Sequence, residues 1–375
     1  MNFDGLTKFL ENIDHNLIPD CEVVVYKDHK CIYKNRFATD CVAPEEDNKD
    51  MYYLFSASKV ITATATMRLV EEGKIGLDDP VKNYLPEFAN LYVIKNGERV
   101  PAQNTLTIRH LLSMQGGFNY NIWHEELKNI KEQSDNKAST REVVAAIAKM
   151  PLVFEPGEDY LYSICHDVLA GVIEVVTGKS FYDYLKEVIF IPLEMNDMTF
   201  TPTPEVLSRM KQQYMVDQKL LTSMPQDPVC VFRLTENYQS GGAGLIGTLN
   251  DYIKFADALA CGEAPNGYRL LKPETVELMR TNQLVGNSFN SFKKVVKRSG
   301  YSYALGVRTL IDQNLAKSLS PIGEFGWDGA AGAYCMIDTE NKLSCYFATH
   351  VLGCEYTFTN VHPTIRNHIY KALED

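Results

Sequence analysis

With 375 residues, 45% hydrophobic, 23% charged and 11% aromatic, the chain has an ordinary globular composition, which excludes disordered, collagen-like and coiled-coil classes. The 37 Lys and Arg against 48 Asp and Glu leave a net charge of −11, so there is no general field for nucleic acid or an anionic membrane surface. Nine scattered cysteines without a Cys-x-x-Cys pair read as reduced thiols. With no leader pattern in Met1 to Lys8 and no apolar run of membrane-spanning length, they point to a cytoplasmic setting.

In chain order, a short helix precedes two β-rich runs, 21–26 and 31–33, joined by the turn-forming Lys27-Asp28-His29-Lys30, which predicts a hairpin. Residues 51–55 are apolar and lead through Ser56 into a helix expected to end at Gly73. Further helices open on Ser139 with Glu142 and on Ser180 with Asp183, and another over 167–176 stops at Gly178. The polar stretches 119–137 and 286–299 read as surface insertions. A second hairpin pairs 334–337 with 343–347, and a helical tail starts near Pro363. Strand signals at both ends around a helical middle predict an α/β (α+β) architecture. An antiparallel sheet lobe comes from 1–70 and 240–375, a mainly helical lobe is inserted at 71–239, and a cleft lies between them.

Three segments carry candidate chemistry. Ser56 at a helix start sits in the field of unpaired backbone N–H groups, and Lys59 follows on the same face. One residue of such a pair can attack while the other takes its proton, and burial against an apolar helix depresses an amine pKa. Ser-x-x-Lys recurs at Ser134, Ser208 and Ser291, but only Ser56 has an apolar entry and an apolar helix behind it. On this segment alone a plain N-cap serine and a catalytic serine stand level. In 155–164, Pro156-Gly157 turns the chain toward Tyr162, which is either a cleft phenol or a packed aromatic. In 325–338, glycines and alanines let a substrate approach main-chain N–H groups; a glycine-rich bend is the plain alternative.

In this order the three segments resemble the serine hydrolase superfamily of class C β-lactamases, penicillin-binding proteins and related esterases and D-amino-peptidases. The resemblance runs from about residue 15 to 355 and includes the stretches 106–113, 171–174 and 241–248. It implies that Ser56 is the acylated nucleophile, Lys59 and Tyr162 its activating pair, and the N–H groups of Ser56 and Ala330 the oxyanion hole. Two departures stand out. The chain has Tyr162-Ser163-Ile164 where the family commonly has Tyr-x-Asn, and Trp327-Asp328-Gly329 where many members have Lys-Thr-Gly or His-x-Gly. Ile164, Trp327 and Gly329 are therefore the expected substrate-binding positions. The lost cation disfavours carboxylate-bearing β-lactams and D-Ala-D-Ala peptides and favours an uncharged small-molecule ester or amide.

Rival motifs are weaker. Gly242-Ala243-Gly244-Leu245-Ile246-Gly247 fits a dinucleotide fingerprint, but polar residues rather than a strand precede it. His124-Glu125-Glu126-Leu127-Lys128 lacks the second histidine of a zinc-protease helix and reads as an exposed turn. No metal, cofactor, nucleic acid or membrane partner is expected, and none of the eight histidines is assigned to catalysis; His166, four residues after Tyr162, could line the cleft but reads rather as capping or surface. Tyr120 or Trp123 is expected to wall the cleft together with Trp327. The expected function is an esterase-like serine hydrolase. The alternatives are a β-lactamase or D-amino-peptidase, and a non-catalytic binding protein on the same fold.

Overall fold

A computed structural model describes residues 1–38 and 49–374. Helix α1 (Asp4–Glu11) precedes the hairpin of β1 (Asp20–Lys27) and β2 (Lys30–Ala38). Strand β3 (Met51–Tyr53) leads to α2 (Ser58–Glu71). After it come α3 (Glu125–Gln133), α4 (Thr140–Ile147) and α5 (Cys165–Thr177). Strand β4 (Ile246–Thr248) returns antiparallel to β3 and feeds α6 (Leu249–Cys261), followed by α7 (Gly286–Val296). The chain closes with β5 (Tyr301–Tyr303), β6 (Arg308–Leu310), β7 (Phe325–Gly326), β8 (Tyr334–Asp338), β9 (Leu343–Ala348) and α8 (His362–Glu374).

Seven strands form one antiparallel sheet in the order β2-β1-β9-β8-β7-β6-β5, so the first hairpin is zipped to the last. Successive side chains of a strand point to opposite faces. Accordingly Val23 and Val25 pack with Leu6, Leu10, Ile365 and Ile369 of α1 and α8, whereas Val24 joins the larger cluster that runs beneath α6 into the helical region. Both faces are covered, which is why three consecutive valines are all buried. Tyr252 of α6 stacks on Tyr346 of β9 with ring centroids 4.1 Å apart, and its hydroxyl donates to the Ala57 carbonyl at 2.8 Å, tying the sheet to the start of α2.

Helix α2 is buried along almost its whole length, and its Ala and Thr residues make that close packing possible. Thr62, Thr64 and Thr66 return their hydroxyls to the carbonyl four residues back, and Thr62 also reaches the Gly241 carbonyl at 2.6 Å. The hairpins and the tail helix lie where the sequence patterns put them, and Gly178 ends α5 in the left-handed conformation. Three expectations need refinement. Residues 286–299 lie at the surface, but α7 spans 286–296 of them and buries Phe292 against Tyr160 and Tyr303. Likewise 119–137 contains α3, for which His124 is the N-cap and Leu127 the buried anchor. The stretch 71–239 also carries hairpins at Tyr92–Pro101 and Gln213–Gln226, whose alternation is too short and polar to stand out.

Arg308 on β6 is fully buried, 3.0 Å from Asp328, 3.4 Å from Glu324 and 2.8 Å from the Cys335 carbonyl. Burial works against the Asp328 carboxylate, yet Arg298 and Arg308 outweigh it and hold its pKa below the ordinary value. Because this cluster anchors the segment that carries Trp327, Arg308→Met, which takes the paired cation from buried Glu324 and leaves Asp328 with Arg298, is expected to cost about 3–5 kcal/mol. Urea denaturation of the variant beside the wild type measures it.

Candidate active site

Strand β3 delivers the chain to Ser56 through a bulky residue in an unusual conformation. Phe55 has φ +47, a region that a side chain of this size seldom occupies. It is held there by the Leu54 N–H bond to the Leu245 carbonyl and by burial of its ring near Phe232. Ser56 then lies in a 3₁₀ turn, Phe55–Ala57, ahead of α2, and the N-cap position belongs to Ala57. The plain reading of Ser56 as the helix N-cap is thereby excluded. Its hydroxyl faces Lys59, whose Nζ lies 3.1 Å away.

Lys59 is completely buried. Its Nζ is also 2.6 Å from the Tyr120 hydroxyl and 2.6 Å from the Gly242 carbonyl oxygen. Burial pulls its pKa down to about 7, partly offset by the nearby Asp167 carboxylate and Cys165. The three partners suit both protonation states. An ammonium donates to all of them, whereas a neutral amine donates to Gly242 and Tyr120 and turns its lone pair toward the Ser56 O–H. Asp167 is kept in place by the Tyr238 and Ser240 hydroxyls at 2.5 and 2.6 Å, and the Gly242 N–H leans on the same oxygen. A side chain at Gly242 would collide with this carboxylate.

Tyr162 completes the cluster. Its ring centroid is 4.7 Å from Lys59 Nζ, and its hydroxyl accepts a 2.7 Å bond from the Trp327 indole N–H. Burial raises the phenol well above its ordinary pKa, and hydrogen bonds with Ser56 and Trp327 recover part of that. At neutral pH Tyr162 therefore keeps its proton, while Lys59 is poised to give one up. Trp327 is only 6% exposed and meets Tyr303 edge-on. It grips the phenol rather than offering a broad ring to the cleft.

The remaining positions are placed as follows. Gly329 is buried where a Cβ would overlap the Leu54 carbonyl, and its N–H donates to Ala333. The turn bearing Ala330 is thus pressed against the segment that leads into Ser56, with Ala330 itself exposed. Ile164, 4% exposed, lines a small apolar gap with Phe232 and Tyr238. The structure brings Ser56, Lys59, Tyr162 and Trp327 together and turns Ile164 into the core. Of the two loop aromatics, Tyr120 joins the site, whereas Trp123 is 67% exposed. His166 is neither cap nor surface residue: it is fully buried, and burial next to Lys59 drives its pKa down to about 3.

Two contributors escaped the sequence reading. Asp167 carries a visible signal, an acid in the first turn of the mostly apolar α5. Gly242 belongs to a glycine-rich stretch with no assigned role beyond a weak dinucleotide motif. Tyr120 was expected at the cleft wall, but its hydrogen bond to Lys59 is defined only by the fold.

The Beta-lactamase family profile matches residues 10–354. The chain belongs to this family. Protein Rv1367c of Mycobacterium tuberculosis (strain ATCC 25618 / H37Rv) is 26% identical over 358 residues, covering 92% of this chain and 88% of that protein. Lovastatin esterase of Penicillium rubens is 28% identical over 247 residues, 61% of this chain and 59% of its own length. Among solved structures, EstCE1, described as a hydrolase with promiscuous acyltransferase activity, superposes with a TM-score of 0.78 at 23% identity, covering 98% and 99% of the two chains. The family member described here thus has the β-lactamase fold and relatives that include esterases.

Trp327→Phe keeps the ring but deletes the N–H that holds the Tyr162 oxygen. A hydrogen bond to a charged group is worth about 1.5–3 kcal/mol, so with Tyr162 in the activating role expected of it kcat should fall roughly 10- to 100-fold. Steady-state kinetics on a p-nitrophenyl ester checks it, with the melting temperature as the control for folding.

Proposed function

We propose that the protein is a serine hydrolase that cleaves an uncharged small-molecule ester through an acyl-enzyme. The observation that carries this reading is the buried Lys59 amine, with a pKa near 7, placed 3.1 Å from the Ser56 hydroxyl. Neutral Lys59 takes the Ser56 proton as Oγ attacks the ester carbonyl. The resulting oxyanion is assigned to the N–H groups of Ser56 and Ala330. Tyr162 gives its proton to the departing alkoxide and regains one from the Lys59 ammonium. Water then attacks the acyl group with the same residues in reverse roles, restoring the free serine.

Trp327 is the reason to favour an ester over a β-lactam. Its neutral N–H is already spent on Tyr162, and the neighbouring charges of Asp328, Arg298 and Arg308 are paired with one another. No cation from this strand is left for a substrate carboxylate. A second reading, acyl transfer to an alcohol instead of water, has its support in the acyltransferase activity named for EstCE1. Product analysis with an added alcohol separates the two.

A fluorophosphonate is expected to add once per chain, at Ser56, and Ser56→Ala is expected to lose labelling and turnover with a nearly unchanged melting temperature. Intact mass with peptide mapping reads the first and p-nitrophenyl ester hydrolysis the second. Nitrocefin turnover as fast as ester turnover would refute the substrate assignment. Without any adduct the protein is a binder on this fold.

The pH profile follows from Lys59. As the base it must be unprotonated, so kcat/KM is expected to rise with pH through about 7 and then level off. Because Asp167 holds this pKa up, Asp167→Asn is expected to shift the rising limb to lower pH. Rate profiles from pH 5 to 9 test both.

A further inference from the structure

At the end of the sheet, three groups of different chemistry converge where the β1–β2 turn meets the end of α6. His29 Nδ1 is 2.7 Å from Asp257 Oδ2, and Cys261 Sγ is 3.5 Å from Asp257 Oδ1. One donor atom from each residue lies within 4.8 Å of the others. We propose that His29, Asp257 and Cys261 form a zinc site with a solvent molecule as fourth ligand, independent of the reaction assigned to Ser56.

Four observations support it. Imidazole, carboxylate and thiolate are the ligands that a borderline-soft, tetrahedral ion such as Zn²⁺ accepts, at about 2.0–2.3 Å, and the spread of these atoms closes onto one ion with small side-chain shifts. Asp257 and Cys261 are four residues apart on α6, which sets them on one face. The turn itself is unusual. Lys27 pairs with Lys30 around a two-residue loop in which Asp28 has φ +48 and His29 φ +65, a geometry that favours Asn-Gly. A histidine is kept where glycine would be easier, and its ring is aimed at a carboxylate only 2% exposed. Finally, α6 has no basic residue in its last turn, so the negative end of the helix dipole is open to a cation at this point.

His29 and Cys261 are each partly exposed, so an ion can reach the site from solvent. On binding, Zn²⁺ replaces the Cys261 thiol proton, which leaves to water. His29 binds the ion through Nδ1, and any proton on that nitrogen leaves to solvent. The bound metal would pin the turn of the edge hairpin to the helix under the sheet.

Co²⁺ is the probe, added to chelator-treated full-length protein. The expected result is saturation at one Co²⁺ per chain, with a near-ultraviolet sulfur-to-cobalt charge-transfer band and visible bands of tetrahedral intensity, all bleached by one equivalent of Zn²⁺. Cys261→Ser should lose the charge-transfer band and Cys31→Ser, at an exposed thiol on the same hairpin, should keep it. His29→Gly suits the turn and so protects the fold while removing a ligand; Co²⁺ affinity should fall at least tenfold. In the wild type, Zn²⁺ should shield Cys261 from iodoacetamide, read by peptide mapping. Absence of saturable binding, a charge-transfer band that survives Cys261→Ser, or Cys261 alkylation unaffected by Zn²⁺ overturns the proposal.

Discussion

A completely buried amine is the constraint around which this molecule is arranged. Water would stabilise the ammonium form of Lys59, and the fold removes that water, leaving the Gly242 carbonyl and two hydroxyls in its place. The exchange is costly to folding but lets the group titrate near neutrality. Everything adjacent follows from keeping the cage dry and exact. Small residues on α2 admit the glycine turn at 241–242, the Asp167 carboxylate tempers the desolvation, and Tyr238 and Ser240 hold Asp167 by its Oδ1.

The same economy of space governs the other side of the cleft. Gly329 and Gly242 both sit where a methyl group would collide with a neighbour, in one case the Leu54 carbonyl and in the other the Asp167 carboxylate. Glycine is needed at these points for close approach, since neither residue carries a positive φ. Phe55 is the counterpart: an aromatic residue accepts the left-handed conformation that glycine would occupy freely, and its buried ring fixes the direction in which Ser56 leaves β3. Trp327 and the charged cluster of Asp328, Arg298 and Arg308 show the site's remaining cations directed inward, toward structure rather than ligand.

Much of this was legible before the fold was known, for definite reasons. The two hairpins announce themselves by β-rich runs around polar turns, and the helix starts by reciprocal caps such as Ser139 with Glu142. Ser56, Lys59, Tyr162 and Trp327 stand out because short motifs in a particular order are specific even when each alone is not. What stayed hidden depends on long-range contact. A carbonyl, as at Gly242, leaves no trace in residue identity. Tyr120 was expected at the cleft wall, but its bond to Lys59 spans 61 positions and has no local signal. His166 was misjudged because chain position says little about which side of a helix end faces the core.

The pairing of β1 with β9 has a bearing on how the protein is made. Thr349 donates to the Asp20 carbonyl across 329 positions, so the central sheet has no middle until the end of the chain is available. At 5–20 residues per second, the first hairpin waits roughly 15–65 s for its partner during synthesis. Throughout that interval the valine-rich edge of β1 is open, and non-local pairing of this kind is intrinsically slow. Synthesis is thus a stage at which this architecture leaves an open strand edge available for mispairing.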